Sequence, residues 1–161
     1  MEEKNYSQES LSVYETMCAA YEKADLKFER HDEDLTITFG MGGDDLPMEF
    51  IVMVTDRAKV VRLYSRLPFE VAKEKITEVA LGVVYVNSTI LNGAFDLDIS
   101  TGRLTFNVLA PYHGSVLGDE VFLYMLGIAS GTIDRFNDRF LALSKGMIDL
   151  QGFIKMQQED K

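Results

Sequence analysis

Hydrophobic and polar positions alternate most regularly between Phe95 and Leu109. Phe95, Leu97 and Ile99 are interleaved with Asp96, Asp98 and Ser100, and Leu104, Phe106 and Val108 with Thr105, Asn107 and Leu109. A period of two over such a length predicts an antiparallel pair with one buried face. Ser100, Thr101 and Gly102 form the turn between them, with the glycine free to take a left-handed conformation. Four further strands are expected upstream. Leu26, Phe28 and Arg30 alternate with Lys27, Glu29 and His31, and Leu35, Ile37 and Phe39 alternate with Thr36 and Thr38. Pro47 opens a third strand, Met48 to Thr55, and a turn at Asp56, Arg57 and Ala58 leads into a fourth, Lys59 to Arg66.

These last two strands depart from simple alternation. Met48, Phe50, Val52 and Val54 make one apolar face, yet Ile51 and Met53 make the opposite face apolar as well, and Val61 and Leu63 are expected to do the same in the fourth strand. A strand that is apolar on both sides is covered on both sides. Helices can supply one cover, and a partner or a second copy is the expected source of the other. Ile51, Met53, Val61 and Leu63 are therefore candidate contact residues.

Helical spacing marks three segments. Leu11, Tyr14, Cys18 and Tyr21 share one stripe of a helix running from Ser10 to about Lys23, after a polar arm over 1–9. A second helix is expected from about Glu70, once Pro68 has stopped the sheet, to Ile90; its second half, Val79 to Val86, is rich in valine. The longest seam is Phe122, Leu126, Ala129, Ile133, Phe136, Phe140 and Leu143, spaced by fours and threes and closed by Gly146. Within it Gly127 and Gly131 lie one turn apart. A helical glycine costs about 1 kcal/mol relative to alanine, which points to close packing of a backbone, either the chain's own sheet or another chain. A short amphipathic tail covers 146–161. The whole reads as one α+β domain over 1–161: a twisted antiparallel sheet flanked by helices, in the order α-β-β-β-β-α-β-β-α.

Charge narrows the function. The 161 residues include 26 acidic and 16 basic side chains, a net charge of −10. Nucleic acid and anionic membrane surfaces would repel such a chain. The apolar run from Val121 to Ile133 is shorter than the roughly 20 residues of a membrane-spanning helix. The single cysteine, Cys18, has no internal disulfide partner, and the polar N-terminus does not read as a secretory signal, so a cytoplasmic location is expected. Asn87-Ser88-Thr89 meets the glycosylation pattern only formally.

Candidate chemistry is sparse. The acidic residues of the His31–Asp34 segment crowd one turn without the ligand spacing of a cation loop. The Gly40–Asp45 segment resembles a phosphate loop but lacks a following Lys-Ser/Thr, leads into a strand, and carries carboxylates that repel phosphate. Cys18 sits among apolar residues as an inert core thiol, and Ser115 and Ser144 lack a His-acid context. The expectation is no enzyme, no cofactor and no metal.

The element order now combines with Asn87, Gly93, Ala94, Phe95, Asp98, Gly102, Arg103, Phe106 and Pro111. On these residues, over about 10 to 145, the chain resembles the YbjN-like family of bacterial proteins, named as sensory transduction regulators. The resemblance implies the fold of class I type III secretion chaperones, which are small, acidic, cytoplasmic homodimers that bind extended polypeptide on apolar patches. It brings no catalytic residues. The valine-rich second helix and the Pro111–Gly114 loop depart from the family pattern. A non-enzymatic regulatory or protein-binding module is expected. The alternatives are a dedicated secretion chaperone for one effector, and a small-molecule sensor using Tyr124, Phe136 or Phe140.

Overall fold

A computed structural model describes residues 5–159. Helix α1 (Gln8–Lys23) is followed by strands β1 (Glu29–His31), β2 (Thr36–Met41), β3 (Met48–Thr55) and β4 (Val60–Glu70). Helix α2 (Ile76–Asn87), the hairpin β5 (Ala94–Asp98) and β6 (Arg103–Pro111), and helices α3 (Asp119–Ser144) and α4 (Leu150–Glu159) complete the order. The six strands form one antiparallel sheet, β1-β2-β3-β4-β6-β5. The expected α+β architecture is present, with a fourth helix made from the expected tail. Residues 1–4 of the expected polar arm lie outside the described residues.

The sheet is dry on one face only. Ile37, Phe39, Phe50, Val52, Val54, Leu104, Phe106 and Val108 are buried beneath the helices, and of the alternate residues of the same strands only Thr36 is buried as well. Phe122, Ala129, Ile133, Phe136, Phe140 and Leu143 form the buried stripe of α3, as their spacing predicts, whereas Leu126 of that seam is only half-buried. From α4, Phe153 completes the core, with its ring centroid 5.1 Å from that of Phe140.

Three element boundaries differ from expectation. Pro68 does not stop the sheet; β4 runs through it to Glu70, with a register irregularity between Arg66 and Glu70. A proline is tolerated at such a break because the ladder bond it cannot donate is already interrupted. Helix α2 consequently starts only at Ile76, after a single 3₁₀ turn at Lys73–Lys75. Its valine-rich half is helical, since Gly82 lets it pack closely on Leu143, Phe153 and Phe140, and that burial outweighs the β preference of valine. The first strand is also shorter than its alternation, covering only Glu29–His31.

Candidate protein-contact surface

The face of the sheet turned away from the helices is built by register. Ile51 of β3 lies opposite Thr38 of β2 and Tyr64 of β4, and Met53 lies opposite Thr36 and Arg62. Asn107 and Leu109 of β6 extend the two rows, facing Tyr64 and Arg62. Ile51, Met53 and Tyr64 are half-buried, and Leu109 is 61% exposed. Two adjoining depressions share Thr38, Ile51 and Tyr64. One extends towards Phe28 and Arg66, the other towards Tyr6, His31 and Met53. The result is a shallow, apolar-centred trough across the middle of the sheet.

Its polar side chains are held in place. The Arg62 guanidinium lies 4.6 Å from the centroid of the Tyr64 ring, and its Nε donates to Asn107 Oδ1 at 2.8 Å. Asn107 Nδ2 donates in turn to Asp96 Oδ2 at 2.5 Å. A stacked, hydrogen-bonded arginine loses little freedom on meeting a partner. The charged residues on this face of the three central strands β3, β4 and β6, away from the turns, are Glu49, Arg62 and Arg66. Around the two depressions as a whole Glu29, Asp34, Glu49 and Asp56 face Lys27, Arg57 and Arg66, with Arg62 beside them, so acidic and basic side chains nearly balance there although the chain is acidic.

One end of the trough is pinned to α1. Asp56, in the β3–β4 turn, accepts hydrogen bonds from Ser7 Oγ at 2.5 Å, Ser10 Oγ at 2.5 Å and Lys59 Nζ at 3.0 Å. Ser7 is also the N-cap of α1, and Ser10 Oγ reaches Tyr112 Oη at 2.7 Å. These donors, the Ser10 hydroxyl first, hold the Asp56 carboxyl well below the usual carboxylate range. A depressed pKa in the folded state contributes stability above the unfolded value that is lost as pH falls through the folded one, so the pin is expected to weaken only below the usual carboxylate range.

The six candidate contact residues occupy three different places. Ile51 and Met53 lie on the open face, as expected. Val61 and Leu63 do not: opposite Val54 and Val52 in register, both are fully buried beneath the helices. The outward residues of β4 are Arg62 and Tyr64, and either phase of that strand is apolar enough to read as a buried face. Gly127 and Gly131 lie on the exposed side of α3, where an added Cβ would meet nothing within 4 Å. Close packing of the chain's own backbone is therefore not their explanation. Tyr64, which sequence reasoning passed over for this face, is the aromatic at its centre; its phase opposite Ile51 was the missing signal.

The remaining candidates are structural. Phe136 and Phe140 pack around Phe95 with ring centroids 6.1 and 5.0 Å away, and Tyr124 is exposed with its hydroxyl hydrogen-bonded by Asn92. Asp32 accepts from Arg30 Nε and from the Tyr14 hydroxyl, each at 2.9 Å. Asp44, in the glycine-rich turn, donates its N–H to Asp134 Oδ1 at 2.8 Å. Burial pushes the Cys18 thiol up to about 11, so little thiolate exists at neutral pH. Native protein is therefore expected to resist alkylation by iodoacetamide until it is unfolded; mass spectrometry showing rapid labelling of the folded chain would contradict a buried Cys18.

No protein-family model matches the chain, and no curated protein does. Solved structures do. The fold is that of a class that includes a chain of the ExsC–ExsE complex, matched with a TM-score of 0.57 at 12% identity over 80% of this chain and 93% of that one. It is equally the fold of YbjN from E. coli, a suggested transcription regulator, with a TM-score of 0.58 at 14% identity over 78% of this chain and 91% of YbjN. The expected relationship to YbjN therefore holds in the fold. Among the described residues no helix is long and apolar enough to cross a membrane.

Proposed function

We propose that this protein is a non-enzymatic, cytoplasmic protein-binding module of the YbjN type, which receives an extended polypeptide segment in the trough around Ile51, Met53 and Tyr64. The observation that carries this reading is a central sheet face that is apolar at its middle yet, among the described residues, has no helix over it. Alternating side chains of an extended segment fit such a surface, with apolar ones meeting Ile51 and Tyr64 while polar ones reach Arg62 or Arg66. The likeness to a chain from a complex of two polypeptides, ExsC and ExsE, supports the same reading. Homodimerisation through this face, with a second copy as the occupant, belongs to the same proposal.

The test is the double substitution Ile51→Glu with Met53→Glu. Both side chains lie away from the helices, so circular dichroism and melting should stay close to wild type. A central contact is worth about 2–4 kcal/mol, which corresponds to a loss of binding of at least about 30-fold. Capture from native cytosol, quantified by mass spectrometry beside the oligomer mass, should show wild type retaining a partner or a second copy and the variant losing it. A single stoichiometric polypeptide would identify a dedicated chaperone or adaptor. Survival of the oligomer and of every partner in the variant would remove the trough from the function.

A further inference from the structure

The open face and the sheet edges pose separate problems. An edge strand exposes unpaired N–H and C=O groups that invite another strand. At one edge the solution is brevity: β1 has three residues and ends in a 3₁₀ turn closed by Leu35 in a left-handed conformation. At the other edge β5 is longer, and its solution is a side chain. In an antiparallel ladder alternate residues turn their backbone groups outwards. In β5 those residues are Phe95 and Leu97, paired with Phe106 and Leu104 across the non-bonded positions of the ladder.

At Phe95 the outward groups are taken. Asn87 Oδ1 accepts from the Phe95 N–H at 2.9 Å, and Asn87 Nδ2 donates to the Phe95 carbonyl at 2.9 Å. A planar carboxamide carries one acceptor and one donor side by side, so it makes the same two bonds that a residue of a neighbouring strand would make. The local sequence is arranged to deliver it. Asn87 is the last residue of α2, and Gly93, at φ +79°, turns the chain back where a Cβ would come within 2.5 Å of the Phe106 ring. The second outward position, Leu97, lies between the carboxylates of Asp96 and Asp98, which disfavour an identical strand laid against it.

We propose that Asn87 is a strand-mimicking plug that prevents β5 from pairing with β5 of a second copy, so that the sheet engages other molecules through its face and not through this edge. The plug rests on geometry independent of the trough, and either proposal can fail alone. It also accounts for the first residue of the motif that carries the YbjN resemblance.

Two measurements test it. In wild-type protein, hydrogen exchange should protect the Phe95 amide like a ladder amide and leave the Leu97 amide fast; equal exchange at the two would overturn the plug. In Asn87→Ala, the weight-average mass from sedimentation should rise with concentration beyond the wild-type state. Adding Leu97→Lys, which sets an inward-pointing lysine on the half-buried core side of the freed edge strand, should restore the wild-type mass. A folded Asn87→Ala variant that keeps the wild-type mass at every concentration would overturn the proposal. If that variant does not fold, the exchange measurement on the wild type decides alone.

Discussion

Replacing Gly102 by alanine is expected to lower stability by about 3 kcal/mol and the melting temperature by about 10 °C. Gly102 closes the β5–β6 turn at φ +75°, and a Cβ there would stand 2.2 Å from the Val71 carbonyl oxygen and 3.1 Å from the Val71 nitrogen. Holding alanine in the left-handed region costs about 1–2 kcal/mol by itself. Relief of the overlap then requires the turn to move away from Val71, whose N–H donates to the Gly102 carbonyl at 2.8 Å. Loss of that bond adds about 1 kcal/mol. Gly114 supplies the control, because it too has positive φ, at +68°, but a Cβ added there would meet nothing within 4 Å. Gly114→Ala should therefore show the conformational cost alone. Thermal melts in which the two variants fall together would mean that contact with Val71 is not what Gly102 provides.

The Gly102 turn was legible in the sequence, and so was the hairpin around it, except that Ile99, expected to continue the buried face of Phe95 and Leu97, falls in the turn and is exposed. The two-faced character of β3 was legible too: Ile51 and Met53 interrupt a pattern already set by Phe50, Val52 and Val54. β4 was not. Val60 and Tyr64 on one phase compete with Val61 and Leu63 on the other, and only pairing with β3 decides which points inward. That decision is a long-range one, made where Leu63 meets Val52. The continuation of β4 through Pro68 depends likewise on β6 being present to pair with Glu70. Asn87 was singled out as part of a family motif, but its role needs the loop that returns Phe95 beside it, and no local pattern in the sequence reports that proximity. At Gly127 and Gly131 a local cost pointed to close packing by the chain's own sheet or by another chain, and only the fold, which turns their side of α3 outwards, removes the first of those readings.

Phe140→Ala should cost about 3–5 kcal/mol, the range for removing a buried phenylalanine, and about 10–15 °C in melting temperature. Phe140 is fully buried, and it touches three elements at once: its ring lies 5.0 Å from Phe95 of β5 and 5.1 Å from Phe153 of α4, and it borders Gly82 of α2. The neighbours are rings and a close-packed helix, so they cannot collapse readily into the space that alanine leaves. Phe140→Leu keeps most of the volume and should cost about 1.5 kcal/mol or less. The loss should also be uneven. Helix α4 is amphipathic and has Phe153 as its buried aromatic anchor, so its amides should lose exchange protection before those of β3 and β4. A uniform loss would show that α4 is held by something other than the aromatic cluster. Phe95 presents its side chain to Phe140 and its backbone to Asn87, so the same substitution should loosen the plugged edge. Ile51 and Met53 lie across the sheet from this cluster, and below the melting transition their face should bind as before. The trough of the proposed function and the core cluster are thereby separable by mutation, because they lie on opposite faces of one sheet.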